Sequence, residues 1–282
     1  MTRVALFGRT GFIGRKVAEQ LGAASIPFVG ISSSSSGEDT IRIDLSDVNA
    51  FTAIPSDVDR VIICYAKLPQ RSYSINDIRD FLESNVEATI NILDWAARAS
   101  IRRIVYCSTL SMIPAHDERF LIDIHSHYPY KITKAAAEHL LAGFCAEKKI
   151  PFMILRIASV YGPGMKPDVI KMIVDSASKG NTFALNNKNA SADFVHVDDV
   201  ATAIVMSLSV EPADFIVNVS SGTHTLLAEL CRMVDPEMKV VALSDSPVAT
   251  REHSSSEFRT LIGREPVNIR EGIREMINYY RE

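Results

Sequence analysis

Short runs of β-branched and apolar residues alternate with longer segments of helical periodicity over the first 160 residues of the chain. This order is typical of βαβ units, in which helices join parallel strands and cover both faces of a sheet. The runs at 61–64 and 104–107 are apolar throughout, as expected for strands that are buried on both faces. The sequence therefore predicts an α/β fold of the Rossmann type, with a doubly wound parallel sheet.

Five strands and three helices carry this prediction. The strands are expected at 4–7, 27–31, 60–64, 103–107 and 152–157. A helix is expected at 12–21, and two further helices, 84–99 and 130–148, have strongly periodic apolar faces. Those faces consist of Val86, Ile90, Leu93 and Ala97 on one helix and Ile132, Ala136, Leu140 and Phe144 on the other. We expect each face to pack against a hydrophobic partner.

The alternation weakens after residue 161, which predicts a second, smaller domain toward the C-terminus. We expect residues 1–160 and about 194–220 to form a dinucleotide-binding domain. Residues 161–193 and 221–282 would then form a substrate-binding domain. The serine run 32–36 is too short to link domains and is interpreted as a loop after the second strand.

Composition argues against several classes of function. The 282 residues carry a formal net charge of −4, which gives no broad positive field for a nucleic-acid partner. The N-terminal apolar run is too short for a signal peptide, and no run is long enough to cross a membrane. We therefore expect a cytoplasmic protein without a membrane partner. The four cysteines form no C-x-x-C pair and are expected to be buried, reduced thiols: Cys64, Cys107, Cys145 and Cys231.

A glycine-rich turn follows the first predicted strand directly and leads into a helix. It reads Gly8, Arg9, Thr10, Gly11, Phe12, Ile13 and Gly14. Glycines in this setting permit a tight turn and allow backbone amides to approach a pyrophosphate at the helix N-terminus. The spacing is G-x-x-G-x-x-G rather than the more usual G-x-G-x-x-G, and glycines at a strand-to-helix turn also have purely structural uses. Because of the strand and helix on either side, we interpret the turn as a dinucleotide-binding loop.

The residues after the second predicted strand bear on the choice of cofactor. Sites for NAD commonly place an acidic residue there to bind the ribose 2′-hydroxyl, whereas this chain has serines. Arg9 in the glycine loop could pair with a 2′-phosphate, although an exposed arginine at a loop tip explains it equally well. The sequence therefore indicates NADP or NAD, with NADP slightly favoured.

Tyr130 and Lys134 lie four residues apart on a predicted helix and therefore on one face of it. A tyrosine that transfers protons near neutrality needs about 4 kcal/mol of stabilisation of its phenolate, which a nearby ammonium helps to supply. The spacing also arises by chance in a chain with eight tyrosines, so its position is the stronger argument. The pair follows the end of the fourth predicted strand, where Ser108 and Thr109 could hydrogen-bond a reacting oxygen or cap a turn.

Together these segments resemble the extended short-chain dehydrogenases/reductases, also called NAD-dependent epimerases/dehydratases. The resemblance covers nearly the whole chain. It consists of the glycine loop, Asp44-Leu45, Ser-Asn-Val-Glu-Ala-Thr at 84–89, Ser108-Thr109, Tyr130-x-x-x-Lys134, Leu-Arg-Ile-Ala-Ser-Val-Tyr-Gly-Pro at 155–163 and Asp-Phe-Val-His-Val-Asp-Asp at 193–199.

The resemblance implies roles for individual residues. Tyr130 would exchange a proton with a substrate oxygen that Thr109 orients, and Lys134 would hold the nicotinamide ribose and lower the Tyr130 pKa. The further cofactor contacts implied are Asp44, Leu45, Ala66, Lys67 and Ile157, and the further substrate contacts are Ser111 and Ser159. Family members often dimerise through the two helices with apolar faces, so a homodimer is expected.

Departures from the family pattern narrow the expected reaction. Dehydratases of the family have an acidic pair after the serine or threonine, whereas this chain has Leu110 and Ser111, which argues against 4,6-dehydration. Lys67 stands where an alanine is more usual in the family.

No metal site is expected. Asp123, His125 and His127 alternate in a loop without a further ligand. The segment 196–199 resembles a structural junction between the two domains in the family.

The expected function is that of an NAD(P)-dependent oxidoreductase that reduces a keto group, at C4, of a nucleotide-linked sugar. The nearest alternative is an NAD-dependent C4 epimerase of such a sugar, which oxidises and re-reduces one carbon. A reductase of a non-nucleotide carbonyl compound and a cofactor-binding protein without turnover are further alternatives. The presence of Thr109, Tyr130 and Lys134 argues against the last.

Overall fold

The computed structural model describes residues 3–69, 73–113, 122, 127–165, 169–211, 215–248, 250 and 252–281. Its strands are β1 (Arg3–Phe7), β2 (Phe28–Ser32), β3 (Thr40–Arg42), β4 (Val58–Ile63), β5 (Arg103–Thr109), β6 (Phe152–Ile157), β7 (Ser159–Tyr161), β8 (Phe183–Leu185), β9 (Ser191–His196), β10 (Phe215–Val219), β11 (His224–Leu226) and β12 (Val240–Ala242). Its helices are α1 (Phe12–Ala23), α2 (Ile75–Phe81), α3 (Ala88–Arg98), α4 (Tyr128–Lys148), α5 (Val169–Ser178), α6 (Val197–Met206), α7 (Leu227–Val234), α8 (Ser256–Ile262) and α9 (Ile269–Arg281).

Seven strands form the main sheet, in the order β10-β6-β5-β4-β1-β2-β3. The pairings from β3 through β2, β1, β4 and β5 to β6 are parallel, and helices flank the sheet. The predicted Rossmann-type α/β fold is confirmed. The five predicted strands are present with ends within two residues of the predicted ones, and β3 and β10 are additions at the two edges of the sheet.

The chain divides into two compact units. The first contains residues 1–157 and 201–217, and the second contains residues 158–200 and 218–282. Residues 158–160, 194–200 and 218–220, which were expected in the dinucleotide-binding domain, belong to the second unit, and the roles expected for the two domains stay predictions. Within the first unit the core lies between the sheet and its helices, with Phe7, Ile63, Ile92 and Leu141 among its fully buried residues.

The predicted helix at 84–99 is part of a longer helical segment. It begins with α2, passes through a π-helical turn at Leu82–Glu87 and continues as α3. A π turn adds a residue to the helical repeat and shifts the faces of the helix that follow it. The buried residues of this segment are therefore Phe81, Asn85, Ala88, Thr89, Ile92, Leu93 and Ala96.

Of the eight residues in the two periodic apolar faces, four are exposed: Ile90, Ala97, Ile132 and Leu140. The chain itself therefore supplies the expected hydrophobic partner for only part of each face. Ile90 is 45% exposed, Ile132 39% and Leu140 46%, whereas Leu93 is buried. α4 instead places Ala137, Leu141 and Cys145 against the core. Both helices have apolar residues on more than one face, so periodicity alone did not identify the face that contacts the sheet.

Among the described residues, no helix combines the length and the apolar character that a membrane crossing requires.

Candidate active site

The glycine loop connects β1 to α1 at the carboxyl edge of the main sheet. Gly8 has φ of +86°, and a Cβ there would lie 2.8 Å from the Tyr65 amide nitrogen and 2.9 Å from the Cys64 carbonyl carbon. A Cβ on Gly14 would clash with the carbonyl oxygen of Gly8. Side chains are therefore excluded at both positions, and the backbone is left open to close approach by a ligand.

The first turn of α1 is suited to an anion. Gly11 occupies the N-cap and has no side chain to accept from the amides of the first turn, where Phe12, Ile13 and Gly14 lie. Within α1, all of which is described, no acidic residue lies in that turn. The free amides and the positive end of the helix dipole therefore favour a phosphate group, so the loop fits a dinucleotide pyrophosphate.

Arg9 is engaged by a carboxylate that the sequence argument missed. Its Nη2 donates to Asp39 Oδ2 at 3.0 Å, and its aliphatic part lies across Gly30 of β2. Thr10 Oγ1 and Ser32 Oγ at the end of β2 are 3.0 Å apart and hydrogen-bonded. An acidic side chain therefore does lie beside the loop after β2, although Asp39 follows the end of that strand by seven residues.

Tyr130 and Thr109 are brought together by the first turn of α4 and the last residue of β5. Burial raises the pKa of Tyr130 to about 12, and the nearby Thr109 hydroxyl lowers it in part. Thr109 Oγ1 accepts from the Ser111 amide at 3.1 Å and lies 2.9 Å from Ser111 Oγ. The predicted residues Tyr130, Thr109 and Ser111 thus lie together at the end of β5.

Lys134 is 2% exposed and lies beneath the same strand end. Its Nζ donates to the Cys107 carbonyl oxygen at 2.6 Å and lies 4.0 Å from the centre of the Tyr106 ring. Burial lowers the pKa of Lys134 to about 8, while Cys107, Cys64 and Glu138 each raise it in part. The ammonium is still mostly charged at neutral pH. The expected lowering of the pKa of Tyr130 by this ammonium, one helical turn away, is not found, because burial of the phenol dominates.

Asn85, in the π turn, links the loop after β4 to α4. Its Oδ1 accepts from the Lys67 amide at 2.7 Å, and its Nδ2 donates to Thr133 Oγ1 at 3.0 Å. The Lys67 side chain does not join this arrangement, since its Nζ forms an ion pair with Asp80 at 2.7 Å. Asn85 thereby fixes Ala66 and Lys67 relative to the helix of Tyr130. The segment 84–89 is part of the resemblance to the family, but the role of Asn85 is not apparent from the sequence.

A buried ion pair supports the strand end from the other side. Glu138, one turn after Lys134, is 2% exposed and accepts from the Arg156 guanidinium through both carboxylate oxygens. Ser108 Oγ donates to Glu138 Oε2 at 2.7 Å. Because Ser108 precedes Thr109, this network holds β5 in place beneath the Tyr130 hydroxyl. A charge paired in this way avoids the full cost of burial.

The remaining predicted contacts are placed as follows. Asp44 follows β3, and hydrogen bonds from the Ser46 amide and hydroxyl lower its pKa. The Leu45 carbonyl accepts from Asn91 Nδ2 at 2.8 Å, and Ile157 is buried at the end of β6. Ser159 belongs to the second unit, where it begins β7 and is exposed.

The segment 196–199 lies in the second unit and contains a cluster of potential metal ligands, His196, Asp198 and Glu275. Asp198 approaches the Nδ1 atom of His196 at 3.7 Å, and Glu275 approaches Nε2 at 3.4 Å. The two carboxylates thus approach different ring nitrogens of His196. Asp199 is fully buried and accepts from the Val267 amide at 2.7 Å. Asp123 and His125 lie outside the described residues.

A family model described as the NAD-dependent epimerase/dehydratase family matches residues 4–220, a range that contains the loop and the tyrosine–lysine pair. The chain belongs to this family.

Curated relatives resemble the chain over its full length. One is a protein of Methanocaldococcus jannaschii provisionally named a UDP-glucose 4-epimerase, 25% identical over 99% of this chain and 98% of the relative. Another is the UDP-glucose 4-epimerase of Mycolicibacterium smegmatis, 23% identical over 99% and 98%. The structure of Thermus thermophilus UDP-glucose 4-epimerase in complex with NAD has the same fold, with a TM-score of 0.82, 24% identity and coverage of 100% and 99%.

A substitution at Lys134 tests how much the burial of its charged side chain lowers the free energy of unfolding. The folded pKa of about 8 lies below the ordinary 10.5, so the folded chain binds fewer protons than the unfolded chain between these values. Its stability relative to a neutral side chain therefore rises with pH across that window. Lys134→Met should be more stable than the wild type at about pH 7, by on the order of 3 kcal/mol, and should lose this advantage by about pH 10.5.

Denaturant unfolding of both proteins at the two pH values measures the difference. Lys148→Met, at the exposed end of the same helix, serves as the control. A stability advantage of Lys134→Met that does not change with pH would contradict the lowered pKa of Lys134.

Proposed function

We propose that the chain is an NAD-dependent 4-epimerase of a nucleotide-linked sugar. The observation that carries the proposal is the proximity of the Thr109 hydroxyl to Tyr130, together with the buried ammonium of Lys134, at the sheet edge that also carries the glycine loop. This edge is where open α/β sheets bind ligands. The two curated relatives described above are named as UDP-glucose 4-epimerases and match the chain from end to end, which supports this reaction over the reductase expected from the sequence.

The residues of the site would act on the C4 oxygen of the sugar. Thr109 would hold the C4 hydroxyl, and Tyr130 Oη would take its proton and later return it. Moving the Tyr130 pKa from about 12 toward neutrality requires on the order of 7 kcal/mol of stabilisation of the phenolate. The positive charge of Lys134 would supply part of it. A bound nicotinamide dinucleotide would supply the oxidation and reduction at C4, held by the amides of the glycine loop and by Lys134.

The second unit would supply the substrate pocket, as the sequence predicts for the C-terminal region, and Ser159 is its proposed contact with the sugar. The absence of an acidic pair after Thr109 leaves the site without the groups that family dehydratases have there. We therefore do not propose dehydration.

Replacement of the proposed base tests the reaction. Tyr130→Phe should reduce the interconversion of UDP-glucose and its C4 epimer by about 10²- to 10⁴-fold, because the proton acceptor is removed, while NAD affinity stays within a few-fold. Product formation is measured by chromatography and NAD binding by calorimetry. Tyr128→Phe, two residues earlier and exposed, is the matched control and should keep full activity. Unchanged turnover in Tyr130→Phe would rule out this mechanism.

We propose NAD rather than NADP because Asp39 occupies the guanidinium of Arg9. A preference for NADP requires the Arg9 guanidinium to be available for the 2′-phosphate. With Asp39 in place, a 2′-phosphate would lie near a carboxylate and would have to compete for the arginine.

A substitution of Asp39 tests this choice of cofactor. Asp39→Asn should raise the affinity for NADP relative to NAD by roughly tenfold, because it releases the Arg9 guanidinium and removes a negative charge. Titration of both dinucleotides measures the ratio. Glu38→Gln, at the exposed neighbouring position, is the control, and Arg9→Met combined with Asp39→Asn should abolish the gain. If the ratio of NADP to NAD affinity is the same in Asp39→Asn and wild type, the Arg9–Asp39 pair does not determine the choice of cofactor.

We further propose a homodimer that forms through the exposed apolar faces of α3 and α4. Ile90, Ile132 and Leu140 point away from the core of their own unit and are 39–46% exposed. Water contact with such large side chains is unfavourable, and a second copy with the same faces would cover them.

A charge placed on this surface tests the dimer. Leu140→Glu should convert the protein to a monomer in analytical ultracentrifugation, since the carboxylate would be buried at the contact. Leu243→Glu, at a leucine that is 76% exposed in the second unit, should leave the dimer intact. A wild-type protein that sediments as a monomer would overturn the proposal.

A further inference from the structure

Two of the four cysteines, Cys64 and Cys107, lie side by side at the carboxyl ends of neighbouring strands. The parallel register of β4 and β5 pairs Ile63 with Tyr106, and each cysteine is the next residue along its strand. Their Sγ atoms are 3.3 Å apart. The sequence separates them by 43 residues, so their contact is not apparent from the sequence.

The geometry permits a covalent bond between the two sulfurs. Adjacent strands are about 4.8 Å apart, which lies within the range of about 4.4–6.8 Å between Cα atoms joined by a disulfide. The sulfurs already face each other, so a side-chain rotation brings them closer without a change of register. Cys64 is a partly exposed residue and Cys107 is buried, so an external reagent approaches the pair from the side of Cys64.

Both cysteines are joined to the proposed active site through their backbones. The Cys107 carbonyl accepts the hydrogen bond from Lys134 Nζ at 2.6 Å. The peptide group between Cys64 and Tyr65 packs directly beneath Gly8 of the glycine loop. A change in the position of either strand end is therefore transmitted to Lys134 and to the loop.

We propose that Cys64 and Cys107 form a redox-active dithiol, which a low-molecular-weight disulfide such as glutathione disulfide converts into an intrachain disulfide with loss of activity. The formation of the bond does not depend on the reaction that the site catalyses. The loss of activity rests on the proposed function.

The exchange proceeds in two balanced steps. The Cys64 thiolate attacks one sulfur of glutathione disulfide, which forms a mixed disulfide and releases one glutathione thiolate. The Cys107 thiolate then attacks the Cys64 sulfur and releases the second glutathione. The two protein thiols lose two protons and two electrons, and one glutathione disulfide is reduced to two glutathione thiols.

The surroundings set the pH dependence of this exchange. The hydrogen bond with Cys107 and then burial raise the pKa of Cys64, whereas the charge of Lys134 lowers it in part. The other titratable groups near the pair are Tyr106 and Tyr130, both neutral in this range. Because the thiolate is the nucleophile, we expect the oxidation to be slow at about pH 7 and at least several-fold faster at about pH 9.

The first test needs no cofactor or substrate. The purified chain is incubated with glutathione disulfide at about pH 9, unfolded under alkylation, and analysed by thiol titration and peptide mass mapping. We expect two of the four thiols to disappear and one disulfide to link the Cys64 and Cys107 peptides. Cys145→Ser should form the same disulfide, whereas Cys64→Ser and Cys107→Ser should not.

Mapping of the wild type decides the proposal even if a serine variant fails to fold. Four titratable thiols after treatment, a glutathione adduct that does not resolve, or a disulfide that involves Cys145 or Cys231 would each overturn it. Once the disulfide is mapped, turnover of the oxidised protein is compared with that of the reduced protein. We expect a loss of roughly 10- to 100-fold, reversed by dithiothreitol, since a displacement of about 1 Å at a reacting group has that cost.

A wild type that forms the disulfide and keeps its activity would leave the dithiol established and refute its effect on the site. A reduced protein that has no epimerase activity would contradict the proposed function and not the dithiol.

Discussion

The buried charge of Lys134 is the constraint on which the rest of the site depends. An ammonium removed from water is costly, and the fold compensates for it with the Cys107 carbonyl, the face of the Tyr106 ring and the nearby carboxylate of Glu138. Each of these partners is on β5 or α4, so the two elements must keep a fixed relation. That relation also brings Thr109 to Tyr130. The same packing therefore offsets part of the cost of the charge and sets the geometry that we propose for proton transfer.

Two further contacts keep the arrangement rigid. Asn85 joins the loop after β4 to α4 through Thr133, and the Glu138–Arg156 pair holds the end of β5 through Ser108. Neither contact involves a residue proposed to act on the substrate. They fix the positions of residues that do, which is how a site built on the ends of strands and helices can remain precise.

The fold and the central residues of the site were predictable from the sequence because local patterns determine them. The apolar strands, the glycine turn and the Tyr130–Lys134 spacing each lie within one short segment. The pairing of Arg9 with Asp39 was not predictable, since it depends on how the chain returns from β2 to β3. The contact of Cys64 with Cys107 depends on strand register, and the buried role of Asn85 depends on a π turn that periodicity does not reveal. Each is a contact between segments distant in the sequence.

In the proposed reaction, one carbon of the sugar is oxidised and then reduced within a single site. The most direct measurement is proton NMR of UDP-glucose incubated with the protein and NAD in deuterated water. We expect formation of the C4 epimer with the original hydrogen retained at C4, because the hydrogen removed from that carbon is returned to it without exchange with solvent. Deuterium at C4, or no epimer with NAD together with reduction of a keto-sugar by NADPH, would contradict the proposed reaction.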